Sequence, residues 1–512
     1  MSINKIDNRV IVLVGFVLLL ALIAWPVWEG RDQSQFGPGQ DDGVYMATAK
    51  SLAMGGGYRH PNLPGRPYAT KYPPLFPLFL SMAWRVQPDF PRTLVVASFF
   101  QDCLLPVYLA VLLLVLRQLG LSWRRTFLVA AMMFVSFPFV FLAITLYSEL
   151  LFGCFLLAAI WAMERSTLQS SSWWALAGGL LTGLAYLTRS AALPMLIAVP
   201  LFLFLRKQMR LSWFFFASAL PLVAGWQAWT ATHAAAIVGT PYLDEYLRVI
   251  RSKGLGEHLL TQVSTFSASV AEAFWHGIIE FLHGIPLHHL FLAAAISGCV
   301  RMGRRQQWPL FLIFTALYLV MINCWWFQGL GRLLVPVWPI MLAGIAEEAS
   351  HFASLAGQSL KSKAAPRWAL VALGVFIVIR NDMVTWRKTA AVYQTERRNR
   401  ARDRVAYAWI AEHAGSGSIV LAWKDGAAFL YAGIPASHDL FVATIPQAEA
   451  LAELRSPFTL PPGRFKNALL LLLDSDLQED SDQMASFRAK AAARAKFEFS
   501  APGAFVYRFP VE

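Results

Sequence analysis

Six charged residues stand beside long apolar runs, where a charge is costly unless it is paired or used. They are Asp41, Asp42, Lys71, Glu149, Arg189 and Arg332. A positioned carboxylate can take a proton from a hydroxyl group, which raises a rate by about 10²–10⁴-fold. Arginine and lysine beside a phosphate stabilise the charge that develops on it in a transition state. Acids and bases gathered near hydrocarbon therefore favour chemistry on a phosphorylated lipid.

Each of these charges also has a purely structural explanation. The aspartate pair precedes an amphipathic stretch and would suit the N-cap of a helix. Glu149 and Arg189 would form an ion pair that only holds helices together. Lys71 would be a solvated loop charge, and Arg332 would extend from a helix end toward water. The residue types alone leave both explanations open.

The elements that must position these residues are membrane-spanning helices. Of the 512 residues, 57% are hydrophobic and 15% are charged, which is too little charge for a soluble chain of this length. The apolar residues form runs of about 15 to 25, the length of a membrane span. We predict about eleven spans, at 10–27, 94–116, 126–144, 147–163, 173–188, 190–205, 212–232, 286–300, 308–326, 333–349 and 367–380.

Short basic clusters between the runs set the orientation, because cytoplasmic loops of membrane proteins are rich in lysine and arginine. With eleven spans the clusters share one side: Lys5/Arg9, Arg117/Arg124/Arg125, Arg165, Arg206/Lys207/Arg210, Arg301/Arg304/Arg305 and Lys361/Lys363/Arg367. We therefore expect a cytoplasmic N-terminus in the cell's inner membrane, with the six charges above on the outer side. The formal charge of +13 does not indicate nucleic-acid binding, which gathers basic residues on one face or arm.

The first outer loop, residues 28–93, is unusually long. It opens with the aspartate pair and continues as an amphipathic helix at 45–54, which a run of three glycines ends. The apolar run at 78–84 is too short to span and is predicted to lie on the membrane surface.

Four motifs, in this order, resemble those of the GT-C glycosyltransferases. They are Asp41-Asp42-Gly43-Val44-Tyr45 with the later Lys71-Tyr72-Pro73-Pro74-Leu75, then Tyr147-Ser148-Glu149, Leu184-Ala185-Tyr186-Leu187-Thr188-Arg189 and Gly331-Arg332-Leu333-Leu334-Val335-Pro336. The resemblance is to the branch that includes the protein O-mannosyltransferases and the bacterial aminoarabinose transferases that act on lipid A. One departure is that the second motif often carries aspartate where this chain has Glu149.

The resemblance implies an enzyme that takes a sugar from a polyprenyl-phosphate donor and transfers it, with inversion, to an envelope acceptor that is a lipid, a glycan or a protein. It implies that Asp41 is catalytic, or Asp42 if the motif is shifted by one residue. Glu149 and Tyr45 would orient the acceptor or a cation. Three basic residues are candidate ligands of the donor phosphate: Lys71, Arg189 and Arg332.

No cofactor is predicted. A divalent metal is left open but is not indicated, because His283, His288 and His289 flank a turn without a helical i, i+4 pairing with an acid. The four cysteines include no CxxC pair and give no zinc or redox signature. The expected partners are the lipid-linked donor, the envelope acceptor and the lipid bilayer.

The composition changes near Asn399, after the last apolar run. A helical run at 402–413, apolar strands at 418–422, 468–473 and 504–509, and a helix at 481–496 follow. We therefore predict an all-α polytopic membrane domain at 1–381 and a small extracytoplasmic α/β domain at 382–512. No catalytic constellation stands out in the second domain, so we interpret it as a lid, a cap or an acceptor-docking surface.

Two other functions are compatible with this sequence. A transporter or flippase for a lipid-linked substrate would place its charges near the bilayer midplane, on broken helices within inverted repeats. Here the charges collect at one face and the sequence shows no repeat. An oligosaccharide polymerase or ligase would share the membrane topology and the lipid donor.

Overall fold

The computed structural model describes residues 8–31, 41–234, 255–279, 287–323, 330–359, 364–438, 465–476 and 495–510, with a few single positions between these segments. Within them the chain is mainly helical and ends in a small sheet. The first half of the helices comprises α1 (Asn8–Arg31), α2 (Asp41–Ala53), α3 (Leu75–Val86), α4 (Arg92–Asp102), α5 (Leu104–Gln118), α6 (Trp123–Phe134), α7 (Phe137–Ile144), α8 (Glu149–Gln169) and α9 (Ser172–Thr188). The second half comprises α10 (Met195–Leu205), α11 (Arg210–His233), α12 (Leu255–Ile278), α13 (His288–Arg305), α14 (Leu310–Asn323), α15 (Leu330–Leu334), α16 (Trp338–Ser359), α17 (Ala365–His413) and α18 (Asp425–Ala432).

Six helical segments of the described chain are long and apolar enough to cross a membrane. They are Arg9–Glu29, Arg92–Gln118, Glu149–Gln169, Arg210–His233, Gly331–Gln358 and Trp368–His413. A seventh results if α6 and α7 count as one bent span. Helices also cover most of the other predicted runs, but these helices are shorter or more polar. The predicted number of about eleven spans is therefore not confirmed.

The break between α6 and α7 is a bend of 67°. A helix end leaves backbone carbonyls without partners in the helix. Here the carbonyl of Val135 accepts hydrogen bonds from Asn381 Nδ2 at 3.0 Å and Thr385 Oγ1 at 2.8 Å, both on α17. Two side chains of the long helix α17 thus donate hydrogen bonds to the carbonyl at the bend, and these bonds hold the bend in place.

The first loop contains two helices that pack on each other. Helix α2 ends before Gly55, whose φ of +75° is the left-handed conformation that commonly terminates helices. Trp84 of α3 is buried and donates its indole N–H to the carbonyl of Met46 in α2, at 3.0 Å. Leu78 and Met82 on the other side of α3 are 48% and 43% exposed. This amphipathic arrangement is that of a helix lying on a membrane surface.

The C-terminal part forms a five-stranded sheet with the order β2-β1-β3-β5-β4. The strands are β1 (Ser418–Leu421), β2 (Ala436–Ser437), β3 (Asn467–Leu473), β4 (Lys496–Ala501) and β5 (Ala504–Pro510). Strand β1 runs parallel to β2 and β3, whereas β5 runs antiparallel to both β3 and β4. Six of the seven residues of β3 are buried, as in a central strand covered on both faces. The three predicted strands correspond to β1, β3 and β5, and most of the helix predicted at 481–496 lies outside the described residues.

Helix α17 joins the two parts of the chain without interruption from Ala365 to His413, across the boundary predicted at 381/382. Helix α18 packs on α2 so closely that a methyl group on Gly426 would overlap the backbone of Gly43. Beside this contact, Asn62 Nδ2 donates to Asp425 Oδ2 at 2.9 Å. The C-terminal part of the chain therefore packs directly on the loop that carries the aspartate pair.

Candidate active site at the first loop

Asp41 is the first residue of α2 and joins two distant segments of the chain. Its Oδ1 accepts a hydrogen bond from the hydroxyl of Tyr72 at 2.6 Å, and its Oδ2 accepts one from Arg332 Nη2 at 2.7 Å. The carboxylate lies in the first turn of the helix, where a negative charge is favourable. Its side chain is 15% exposed, so it is mostly shielded from water but remains accessible.

Two arginines and two carboxylates form one continuous chain of ion pairs. Arg332 Nε lies 3.6 Å from Glu149 Oε1, and Arg189 Nη1 lies 2.8 Å from the same oxygen. The order is therefore Asp41–Arg332–Glu149–Arg189. The Glu149 side chain is 3% exposed, whereas those of Arg189 and Arg332 are 17% and 29% exposed. All four sequence motifs, which are far apart in sequence, meet at this chain of charges.

A buried amide holds the turn that carries Glu149. Gln101 Nε2 on α4 points at the carbonyls of Leu142, Thr145 and Tyr147, at 3.4, 3.3 and 3.1 Å. Helix α7 has ended at this point, so its last carbonyls need partners from outside the helix. Gln101 thereby fixes the entry to α8, whose first residue is Glu149.

Tyr45 on α2 is tied to the same turn. Its hydroxyl lies 3.3 Å from Ser148 Oγ, which also accepts a hydrogen bond from Arg189 Nη1 at 3.0 Å. The Tyr45 ring packs edge-on against Tyr72 and Phe76, with centroids 5.1 and 5.0 Å apart. Tyr45 thus links the helix that carries Asp41 to the arginine at the far end of the chain of charges.

Arg332 is positioned from two sides. The ring of Tyr147 faces its guanidinium at 5.0 Å, a distance at which a cation is attracted by an aromatic ring. The hydroxyl of Tyr318 donates to the carbonyl of Leu333 at 2.7 Å and fixes the backbone beside it. These contacts direct the guanidinium of Arg332 toward the carboxylates of Asp41 and Glu149.

The pKa of Asp41 lies below its usual value. Burial raises the pKa, but the positive charge of Arg332, the hydrogen bonds from Tyr72 and Arg332, and the more distant charge of Arg189 all lower it and prevail. Asp41 is therefore ionised at neutral pH while it is held by Arg332.

Asp42 is 1% exposed, and its Oδ1 accepts a hydrogen bond from the N–H of Gly43 at 2.8 Å. Its charge also attracts Arg400 of α17. The contact to Arg332 is thus made by Asp41, and Asp42 faces the C-terminal part of the chain.

Lys71 is half-buried, and its charge acts on the buried His60 and on the half-buried His438. Burial, and to a smaller extent Lys71, lowers the pKa of His60 to about 4. Burial also lowers the pKa of His438 to about 4, against a backbone hydrogen bond that raises it and with Lys71 lowering it further. The structure therefore places Lys71 at the contact between the first loop and the C-terminal domain.

No group of three metal-binding side chains occurs among the residues that the structure describes. His283 lies outside those residues, while His288 and His289 are described at the start of α13.

Several residues that build the site were not identified from the sequence. Tyr72, Tyr147 and Ser148 lie inside the motifs, and their position next to motif charges was the available signal. Gln101 and Tyr318 lie within apolar helices, where a polar residue gives no indication of its partner.

Comparisons with known proteins agree with this architecture. No family model and no curated protein matches the sequence. Among solved structures, the chain is similar to ArnT from Cupriavidus metallidurans bound to undecaprenyl phosphate, with a TM-score of 0.55 and 14% identity over 96% of this chain and 98% of that chain. It is also similar to the oligosaccharyltransferase of Archaeoglobus fulgidus, with a TM-score of 0.55 and 13% identity over 95% of this chain and 72% of that chain.

At these identities the similarity establishes the fold alone. Together with the apolar helices, it identifies a multi-pass membrane protein. The chain has the fold of the GT-C glycosyltransferases, as the sequence motifs led us to expect.

Proposed function

We propose that this protein is a glycosyltransferase that moves a sugar from a polyprenyl-phosphate-linked donor to an envelope acceptor. The reaction would take place on the outer face of the inner membrane, with the N-terminus in the cytoplasm. The observation that carries this proposal is the chain of charges Asp41–Arg332–Glu149–Arg189. The undecaprenyl phosphate bound to the similar ArnT supports a donor of this chemical class.

Asp41 is the general base of the proposed reaction. The reaction forms a bond between an acceptor oxygen and the anomeric carbon, and breaks the bond between that carbon and the phosphate oxygen. Asp41 takes the proton of the acceptor hydroxyl, and the electron pair of the broken bond leaves with the polyprenyl phosphate. A single displacement of this kind inverts the anomeric carbon.

Arg189 and Arg332 stabilise the departing phosphate. A guanidinium can hold two phosphate oxygens at once, and its charge acts strongly where water is scarce. Glu149 contacts both arginines through one oxygen and keeps the two cations close together. Lys71 on the same loop is a third candidate cation, and Tyr45 and Glu149 would orient the acceptor.

Arg332 couples phosphate binding to the activity of the base. It is bound to Asp41 and helps to lower the pKa of that carboxyl. A phosphate that binds Arg332 competes for the same guanidinium and weakens its hold on Asp41. The pKa of Asp41 then rises, and a carboxylate of higher pKa is the better base. Donor arrival would thereby activate the residue that the acceptor needs.

The base is tested with Asp41→Asn and the matched control Asp89→Asn, an exposed aspartate of the same loop. Each protein is purified in mild detergent, and its bound lipids are identified by mass spectrometry. We expect Asp41→Asn to retain the sugar-loaded donor, because its cations remain but its base is absent. The wild type and the control should carry mainly the discharged polyprenyl phosphate. Equal ratios of loaded to discharged lipid in all three proteins would contradict the role of Asp41.

The phosphate ligands are tested in the same preparation with Arg189→Ala and the exposed control Arg85→Ala. We expect polyprenyl phosphate and its sugar adduct to be lost from Arg189→Ala and kept by Arg85→Ala. Retention of the lipid by Arg189→Ala would remove the main support for the phosphate site. It would then favour a protein that does not act on such donors.

A further inference from the structure

The segment between α2 and α3 contains a short hairpin, residues 58–69, that lies outside the four sequence motifs. Its two sides run antiparallel: the N–H of Ala69 donates to the carbonyl of Tyr58 at 3.0 Å, and Arg59 lies opposite Tyr68. The Arg59 guanidinium faces the Tyr68 ring at 3.6 Å. Successive side chains of an extended chain point to opposite faces. Tyr58 therefore lies on the other face of the hairpin, where it is buried.

Tyr58 connects the buried face of the hairpin to the segment that precedes α3. Its hydroxyl donates to the carbonyl of Tyr72 at 2.8 Å. Burial raises the pKa of Tyr58 above its ordinary value, so the hydroxyl keeps its proton and remains a donor. Tyr72 lies outside helices and strands, so its backbone depends on contacts of this kind. Tyr58 thus fixes the backbone of Tyr72.

The side chain of Tyr72 transmits this restraint to the candidate base. Its hydroxyl donates to Asp41 Oδ1 at 2.6 Å, a short hydrogen bond of the kind made to a charged acceptor. Its ring also packs edge-on against Tyr45 of α2. A displacement of the Tyr72 backbone would disturb both contacts. Two successive hydrogen bonds therefore connect Tyr58 through Tyr72 to Asp41.

The C-terminal end of α11 holds the hairpin from one side. Trp229 donates its indole N–H to the carbonyl of Ala69 at 3.0 Å. Trp226 is buried, and its ring centroid lies 6.2 Å from that of Tyr58. Residues three positions apart lie on the same side of a helix. One side of α11 therefore supports both sides of the hairpin.

The C-terminal sheet holds the hairpin from another side. The N–H of Ala436, in the edge strand β2, donates to the carbonyl of Asn62 at 2.8 Å. Asn62 is buried and also donates to Asp425, as described above. Both supports of the hairpin thus come from elements that do not carry Asp41. A support of this kind can hold a catalytic group to within about 0.5 Å of its productive position.

Other ionisable groups also act on Asp41. They are Arg332 from α15, Arg189 from the end of α9 and Tyr147 from the turn before α8. None of these three residues belongs to the hairpin. A change in the hairpin therefore reaches Asp41 through the hydroxyl of Tyr72.

We propose that Tyr58 is a positioning residue for the sugar transfer, which fixes Tyr72 so that its hydroxyl holds Asp41 in the orientation that accepts a proton. This inference rests on the proposed function, in which Asp41 is the base. Tyr58 does not touch the reacting atoms and acts through Tyr72. Removal of its hydroxyl therefore slows the proton transfer, whereas the binding of the donor by Arg189 and Arg332 stays unchanged.

The test compares the wild type with Tyr58→Phe, Tyr72→Phe and the double variant, and Tyr68→Phe from the same hairpin is the control. Membranes that contain each full-length protein supply the envelope acceptor. A lipid extract of membranes with the Asp41→Asn variant supplies the sugar-loaded donor, and the same membranes give the background. The polyprenyl phosphate that is released is measured by mass spectrometry as a function of pH and donor concentration.

We expect Tyr58→Phe to lower kcat by about three- to tenfold with an unchanged KM for the donor lipid. The acid limb of kcat/KM should move to higher pH by about half a unit, because a looser Tyr72 hydrogen bond lowers the pKa of Asp41 less. The double variant should have the same acid limb as Tyr72→Phe, since the hydroxyl through which Tyr58 acts is then absent. Tyr68→Phe should match the wild type.

Two results would overturn the positioning role: an unmoved acid limb in Tyr58→Phe, even if its Tm falls, or a shift in the double variant equal to the sum of the single shifts. The phenylalanine keeps the ring beside Trp226. If Tyr58→Phe nevertheless fails to fold, Trp229→Phe removes the anchor on Ala69 and should move the limb in the same direction, and an unmoved limb there has the same meaning. Failure of the wild type to release polyprenyl phosphate would count against the proposed function instead.

Discussion

Arg332 Nη2 donates to Asp41 Oδ2 at 2.7 Å, across a separation of 291 residues. The aspartate begins a helix of the first loop, and the arginine lies just before α16, near the other end of the membrane domain. The same arginine lies 3.6 Å from Glu149. A single guanidinium therefore contacts both carboxylates of the site. In the proposed reaction a donor phosphate would compete with these carboxylates for its N–H groups.

Removing the hydroxyl of Tyr72 is expected to shift the pH dependence of catalysis. The Tyr72 hydrogen bond helps to lower the pKa of Asp41, so Tyr72→Phe should raise that pKa. Because the base acts when ionised, the acid limb of kcat/KM should move to higher pH, by roughly one to two units for a hydrogen bond to a charged group. The measurement is a pH profile of sugar transfer. Tyr68→Phe, in the same loop, serves as the control, and an unmoved acid limb in Tyr72→Phe would refute the coupling.

Glu149 is expected to contribute to stability as well as to orientation. Its side chain is 3% exposed and faces two arginines, so Glu149→Gln leaves two cations with less negative charge nearby. Breaking a buried pair costs as much as about 3–5 kcal/mol, and the partial exposure of the arginines reduces this value here. The apparent Tm in mild detergent should fall clearly in Glu149→Gln and much less in Glu149→Asp, which keeps the charge. Equal melting temperatures of Glu149→Gln and the wild type would show that the ion pairs of Glu149 do not stabilise the fold.

The contact between Gly426 and Gly43 predicts that a single methyl group impairs the site from a distance. Gly426→Ala should overlap the backbone of Gly43 and shift α2 or α18, at a cost of about 1–3 kcal/mol. We expect slower sugar transfer with little change in the binding of the polyprenyl phosphate. Gly225→Ala is the matched control, because no atom lies within 4 Å of the added carbon. If the Gly426→Ala protein transferred sugar at the wild-type rate, the contact between α18 and α2 would not contribute to catalysis.

Because the pKa of His60 is lowered, we expect the folded protein to lose stability at mildly acidic pH. Its pKa of about 4 in the folded protein lies below the ordinary value of 6.5, so the unfolded chain binds the proton more readily. Stability should therefore be full above pH 6.5 and fall as the pH drops toward 4, by at most about 1.4 kcal/mol per pH unit for each such histidine. Unfolding between pH 7.5 and 4.5 should show a smaller slope for His60→Gln than for wild type. The exposed His289→Gln is the control, and an unchanged slope in His60→Gln would disprove the assignment.

The sequence identified the charges of the site better than their partners. Asp41, Glu149, Arg189 and Arg332 stood out because charges beside apolar runs are rare, and the structure brings all four together. Gln101 could not be recognised, because its role is to meet three carbonyls at a turn 41 to 46 residues away. Such contacts depend on how helices cross, which a single sequence does not specify.

Helix boundaries were likewise predicted only in part from the sequence. Periodicity and glycines correctly placed α2 and the apolar helix α3 in the first loop. The run at 94–116 instead breaks at Cys103, between α4 and α5. Pro106 lies three residues further on and has no N–H to donate to the carbonyl of Asp102, so a local signal for this break was present in the sequence. The helix across 381/382 also continues through a change of composition, because its later turns pack against α18 and strands β4 and β5.

The four charges of the Asp41–Arg332–Glu149–Arg189 chain sum to zero. Opposite charges at such short distances cancel each other within a few ångströms, so the cluster projects little field into its surroundings. Donor capture should accordingly depend on lateral diffusion in the bilayer and hardly on ionic strength. In the proposed reaction the released polyprenyl phosphate would carry more negative charge than the donor. The two arginines would then hold the product more tightly than the substrate, and we expect product release to limit turnover.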